Sequence, residues 1–304
     1  MRRIIEIPFS GQRCICTFHE PLLINSVRSS TGVIFTNFGW APRDGQGSLG
    51  AVMADDFASA GFPAFRIDLP GLGDSPGETP DITRRFESMI REGKQAPHVE
   101  AIIRRLMNLY KLESVIIAGI CAPFINALFA WTEKPFPLGG IVTLNPDFIG
   151  PSSQGTKESS HHVRHTLSRW RWLCILSGVN PKSRFVPIPL RRLLRPLVKL
   201  RDYPENTNIP LARAWRKLVE SGVPVLMICA ETEVQHLYAE QVNKIALRGL
   251  DTSRVRFLTI RGTNHTFSSA TSGNPKEFIL TEVRRWREEI FPDSEPQALR
   301  GDPK

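Results

Sequence analysis

Eight short runs of β-branched and aliphatic residues recur along the chain, most with a helix-forming segment between them. This rhythm constrains the fold more than any other feature of the sequence. The runs read RRIIEIPF, RCICTFHE, GVIFTNFG, PAFRIDLP, SVIIAGI, GGIVTLNP, VPVLMICA and VRFLTIRG. Helical patterns fall near Leu49–Ala60, His98–Tyr110, Pro123–Thr132, Leu237–Arg248 and Pro275–Ile290. Strands alternating with helices predict an α/β fold whose central sheet is mostly parallel and flanked by helices. A chain of 304 residues with 41% apolar content can bury a large core for it.

One region breaks the rhythm. From Gly150 to about Val219 no strand pattern appears, and the composition turns basic. Pro151 to Glu220 holds fourteen Lys+Arg against four Asp+Glu, so this stretch accounts for the formal +9 of the whole chain. Its helix-like pieces, RHTLSRWRWLCIL and PLRRLLRPLVKLR, interleave arginines with aromatic and aliphatic residues. An insert of this size between the sixth and seventh strands predicts a helical cap over the C-terminal edge of the sheet, where ligands of α/β folds bind. The expected organisation is a core at 1–149 and 220–291, a cap at 150–219 and a disordered polar tail at 292–304.

The five cysteines, Cys14, Cys16, Cys121, Cys174 and Cys229, are odd in number and show no C-x-x-C spacing. That usage fits a reducing compartment. Glu6 and Pro8 interrupt the N-terminus before a signal-peptide core forms, and no apolar run approaches the ~20 residues that span a bilayer. A soluble, cytoplasmic protein is expected.

The chemistry concentrates where three of the strand runs end. SVIIAGICAPFINALFAW passes from a strand through a sharp turn at Cys121 into a helix, the setting of a nucleophile elbow. PVLMICAETE leaves its strand with two carboxylates, Glu231 and Glu233, and RFLTIRGTNHTF carries His265 through a short polar turn. A nucleophile must lose a proton, an imidazole can accept it near neutral pH, and a carboxylate orients that imidazole. A sulfur at a helix N-terminus is expected to favour the thiolate, lowering the ordinary thiol pKa of ~8.5.

These motifs, in this order, resemble the α/β-hydrolase superfamily over nearly the whole chain. NFGW (Asn37–Trp40) is similar to the loop that supplies half of the family's oxyanion hole. FRIDLPGLGDSPG (Phe65–Gly77) is similar to its R-x-D-x-x-G-x-G-x-S turn. The elbow resembles a subgroup whose turn reads Gly-x-Cys-Ser-Gly, hydrolases associated with exosortase or exopolysaccharide systems. This chain departs from that turn at Ala122 and Pro123. The resemblance implies Cys121 as nucleophile, His265 as base and Glu233 as acid, with Glu231 as the alternative acid. It implies an oxyanion hole from the amide of Ala122 and a backbone donor among Asn37, Phe38 and Gly39.

The activity implied is hydrolysis or transfer of an acyl group through a covalent cysteine intermediate, of the esterase or thioesterase kind, with no cofactor and no metal. His161 and His165 stand one helical turn apart, but no third ligand accompanies them. The expected partner is an acyl ester or thioester substrate, carrier-protein-bound, coenzyme A-bound or otherwise anionic, steered by the basic cap. Trp170 and Trp172 among arginines leave a peripheral membrane contact open. No nucleic-acid recognition motif is present. The competing class is a non-catalytic hydrolase-fold protein, its pocket blocked by Pro123, that docks an anionic partner or a membrane through the cap.

Overall fold

The computed structural model describes residues 1–9, 11–22, 28–78, 84–151, 203–204, 206–268 and 273–292. All eight expected strands form. They are β1 (Arg2–Phe9), β2 (Gln12–His19), β3 (Thr31–Phe35), β4 (Ala64–Ile67), β5 (Ser114–Ile120), β6 (Leu138–Leu144), β7 (Val225–Ala230) and β8 (Val255–Ile260). They make one sheet in the order β1-β2-β4-β3-β5-β6-β7-β8. β2 runs antiparallel to both of its neighbours, and every pairing from β4 to β8 is parallel.

The helices among the described residues are α1 (Leu49–Ser59), α2 (Arg84–Arg91), α3 (Ala96–Tyr110), α4 (Ala122–Glu133), α5 (Ile209–Glu220), α6 (Val234–Ala246) and α7 (Pro275–Ile290). None is long and apolar enough to cross a membrane. The twofold alternation of strand side chains divides the core into two layers. Ile116, Ala118 and Ile120 of β5 face Met53 and Phe57 of α1 and Ile279, Val283 and Trp286 of α7. Val115 and Ile117 face the other way, toward the layer holding Ile103 of α3, Phe124 of α4 and Trp215 of α5. A parallel sheet covered on both faces calls for near-continuous apolar strands, as in the fully buried VLMICA of β7.

Two helices depart from the sequence reading. In α2, RRFESMIR, Phe86 and Ile90 are buried one helical turn apart, so a largely charged segment still presents a narrow apolar stripe. α5 was expected inside the cap, yet it belongs to the core layer: Leu211, Ala212, Trp215 and Leu218 are fully buried. Its N-terminus is fastened to the core. The Asn208 side chain accepts from the Leu211 amide as an N-cap, and its Nδ2 donates to the carbonyl of Arg91, 2.7 Å away. Residues 152–202 and 205 of the expected cap, with His161, His165, Trp170, Trp172 and Cys174, and the tail from 293 lie outside the described residues.

The two stems of that insert meet. Ile149 and Thr207 form an antiparallel bridge, the Gly150 amide donates to the Asn206 carbonyl at 2.6 Å, and the Asn208 amide donates to the Phe148 carbonyl at 2.7 Å. The chain therefore leaves the sheet after β6 and returns to the same point before α5.

Candidate active site

β5 ends at Ile120, and the chain reverses through Cys121 into α4. Cys121 has φ 60° and ψ −91°, a strained conformation for a residue with a Cβ. It is held there by its own amide, which donates to the Leu144 carbonyl at 2.8 Å. Strand, positive-φ turn and helix thus follow one another at Cys121, as the sequence led us to expect. Cys121 keeps partial exposure, whereas Cys14, Cys16 and Cys229 are buried.

The first turn of α4 offers few anion donors. Pro123 has no N–H, and the Phe124 amide donates to the Cys121 carbonyl at 3.2 Å. The Ala122 amide has no intrahelical acceptor at this position, which leaves it as the donor beside the sulfur. Pro123 itself is buried. Its ring packs on Gly119, where an added Cβ would lie 2.8 Å from Pro123 Cγ.

β8 and the loop after it bring His265 to the same edge, and β7 brings Glu233. Glu233 Oε1 accepts from the His265 amide at 2.9 Å, and its Oε2 stands 3.8 Å from His265 Nδ1. Nδ1 is buried without a hydrogen-bond partner, so an approach of roughly 1 Å completes the His–Glu hydrogen bond. Burial holds the imidazole below its ordinary pKa, against the opposite pull of Glu233 and Asp147, which keeps it neutral and able to accept a proton. Phe38 covers the ring, with centroids 5.3 Å apart. Glu231 is engaged elsewhere, accepting from the Gly262 amide at 3.1 Å.

The NFGW loop is fastened from below. The buried Asn37 side chain donates to Asp68 Oδ1 at 2.7 Å and to the Ala41 carbonyl at 3.0 Å, and accepts from the Leu69 amide at 2.7 Å. The fully buried Asp68 also accepts from the Arg43 amide and guanidinium. Ser75 donates to the Asp68 carbonyl at 2.6 Å, so the GLGDSPG run serves as a structural turn under the loop. The Asn37 side chain is therefore a staple. Any oxyanion donor from this loop is a backbone amide.

One expectation is reversed. The Cys121 thiol sits well above its ordinary pKa, because burial penalises the thiolate and Asp147 and Glu87 add negative potential; Arg91 opposes them. Asp147, after β6, was not foreseen. Its buried carboxylate accepts from Arg91 Nε at 3.0 Å and from Arg91 Nη2 at 2.9 Å, and its Oδ1 accepts from the Ile149 amide at 2.9 Å. Asn145, also missed, is fully buried and bonds the His265 carbonyl through Nδ2 at 2.7 Å. The polar LNPD run at the end of the strand beside the elbow was the available signal. Among the described residues no group of three or more His, Cys, Asp or Glu is arranged to hold a metal ion.

No protein-family model matches this sequence, and no curated protein matches it. Solved structures do. Est1E from Butyrivibrio proteoclasticus, with ferulic acid bound, superposes with a TM-score of 0.56 at 12% identity, covering 95% of this chain and 99% of that one. A thermophilic esterase from Thermogutta terrifontis, with malate bound, gives 0.53 at 14% identity over 95% of this chain and 99% of the other. Dienelactone hydrolase from Anabaena variabilis gives 0.51 at 13% identity, over 95% and 97%. At such identities the likeness bears on architecture, and it agrees with the strand order: this chain has the α/β-hydrolase fold.

Proposed function

We propose that the protein is an acyl hydrolase or acyltransferase acting on esters or thioesters through a covalent Cys121 intermediate. The observation that carries this reading is the left-handed Cys121 at the strand–helix turn, on the sheet edge that also presents His265 and Glu233. The esterases and the dienelactone hydrolase of the same fold support a hydrolase reading. The cysteine in place of serine, as in the Gly-x-Cys subgroup, supports a thioester donor, since thiolates exchange readily with thioesters.

The raised thiol pKa sets the order of events. At rest Cys121 is a neutral thiol and His265 a neutral imidazole. Glu233 faces Nδ1, which leaves Nε2 to take the thiol proton as sulfur attacks the acyl carbon. The tetrahedral oxyanion is held by the Ala122 amide and a backbone amide of Asn37–Gly39. Imidazolium returns the proton to the departing thiol or alcohol. Water or an acceptor alcohol, deprotonated by His265, then attacks the thioester of Cys121 and releases the acyl group, restoring the thiol. The cysteine thus works as serine does, with its proton removed during attack.

The test is intact-protein mass spectrometry after incubation with a panel of acyl-coenzyme A and acyl-pantetheine thioesters. An acyl adduct on Cys121 that turns over is expected, absent in Cys121→Ala and His265→Ala. The raised thiol pKa favours one other reading, a non-catalytic protein docking an anionic partner or membrane through its basic segment. No adduct with any donor, together with salt-sensitive binding to anionic vesicles, would replace the enzyme reading with that one.

A further inference from the structure

We propose that Asn145 is a positioning residue for the His265–Glu233 pair, its side-chain amide tying the loop that carries His265 to the end of the strand that leads to Glu233. Asn145 is the first residue past β6. Its amide donates to the Ile228 carbonyl at 2.8 Å, continuing the β6–β7 pairing by one residue. Its φ of 46° then turns the chain away, in the left-handed region that asparagine tolerates better than most residues with a side chain.

Both ends of its side-chain amide are committed to backbone far away in sequence. Nδ2 donates to the His265 carbonyl at 2.7 Å, and Oδ1 accepts from the Ala230 amide at 2.7 Å. Ala230 is the last residue of β7, and its carbonyl accepts from the Glu233 amide at 3.2 Å. The Glu233 carboxylate in turn accepts from the His265 amide at 2.9 Å. Asn145 therefore closes a ring of hydrogen bonds whose other members are the proposed acid, the proposed base and the strand end between them. A fully buried amide loses its hydration, which its two bonds must offset, so packing alone favours an apolar residue here. Donor and acceptor together are what Asn145 supplies, and His265 and Glu233 are what they hold.

This inference rests on His265 and Glu233 being the catalytic pair, and two variants test it. Asn145→Gly keeps the left-handed backbone and removes both bonds. Asn145→Asp keeps the acceptor for Ala230 and sets a carboxylate oxygen against the His265 carbonyl. Two readouts are taken: the burst of nitrophenol from p-nitrophenyl acetate, reporting acylation, and the NMR titration of the His265 imidazole, assigned by its loss in His265→Gln.

Both variants are expected to unfold cooperatively and to slow acylation roughly 10–100-fold, as small misplacements of catalytic groups do. The His265 midpoint is expected to rise, since a loosened loop relieves the burial that opposes protonation while Glu233 and Asp147 still favour it. Unchanged acylation and titration in both variants would overturn the proposal, and so would a loss of cooperative folding in both, which assigns Asn145 to stability alone. The titration is read without any acyl substrate. A wild-type protein that never acylates defeats the functional reading and leaves the test of positioning intact.

Discussion

The ring of Pro123 lies directly on Gly119: a Cβ added at Gly119 would stand 2.8 Å from Pro123 Cγ and 3.3 Å from its Cβ. The two residues flank Cys121 and fit one another. The proline occupies the space that the missing side chain leaves, and it is buried against the strand instead of facing solvent. Gly119 also has φ 148°, a conformation costly for other residues. Gly119→Ala is therefore expected to lose about 2 kcal/mol or more of stability in urea unfolding. Pro123→Gly, which brings in the glycine of the usual elbow, is expected to lose about 0.5–1 kcal/mol and to acylate as before. A large gain in acylation in Pro123→Gly would instead show that the ring obstructs substrate.

Asp147 raises the thiol pKa of Cys121, so neutralising it makes more thiolate at a given pH. Asp147→Asn is expected to speed iodoacetamide alkylation of Cys121 at pH 7 to 8. Arg91→Gln removes the opposing charge and is expected to slow it. It also leaves a buried carboxylate unpaired, a loss of about 3–5 kcal/mol in the same variant. Equal alkylation rates in all three proteins would remove Asp147 and Arg91 from the electrostatics of the sulfur.

The two glutamates separate by their partners. Glu233→Gln weakens the hold on imidazolium and is expected to slow acylation by about tenfold or more. Glu231→Gln retains an acceptor for the Gly262 amide and is expected to stay within about twofold of wild type. Reversal of that ranking in burst kinetics would assign the acid to Glu231.

Acid weakens the fold through its histidines. Burial lowers the pKa of His19, His236 and His265, so the unfolded chain binds protons more readily than the native one. Their contribution is complete above the ordinary histidine pKa of ~6.5 and is lost as pH falls through the lowered native values. His19 shows why: Nδ1 pairs with Asp55 at 2.8 Å, and Nε2 accepts from Arg66 Nε at 2.8 Å, leaving no lone pair for a second proton. Urea midpoints are expected to rise from pH 5 to about 7, less steeply in His19→Gln. A midpoint flat across that range would contradict this assignment.

The strands, and the place of Cys121, Glu233 and His265 just past strand ends, were legible because each depends on local pattern. α2 escaped notice because its apolar stripe is only Phe86 and Ile90 amid charges. α5 was merged with the basic stretch, although Leu211, Trp215 and Leu218 already carried a helical spacing. Asn145, Asp147 and Arg91 stayed hidden for a deeper reason, since their roles come from partners 56 to 120 residues away. The sign of the Cys121 shift failed on the same ground: helix position is local, whereas burial is a property of the whole fold.

The bridge between Ile149 and Thr207 has an architectural consequence. Because Gly150 and Asn206 are joined backbone to backbone, the core completes its own circuit at that point. The register of β6 and the seat of α5 are thereby set by contacts on the core side of that closure. Closure at this point lets the fold keep its sheet and helix seats through contacts among residues of the core alone.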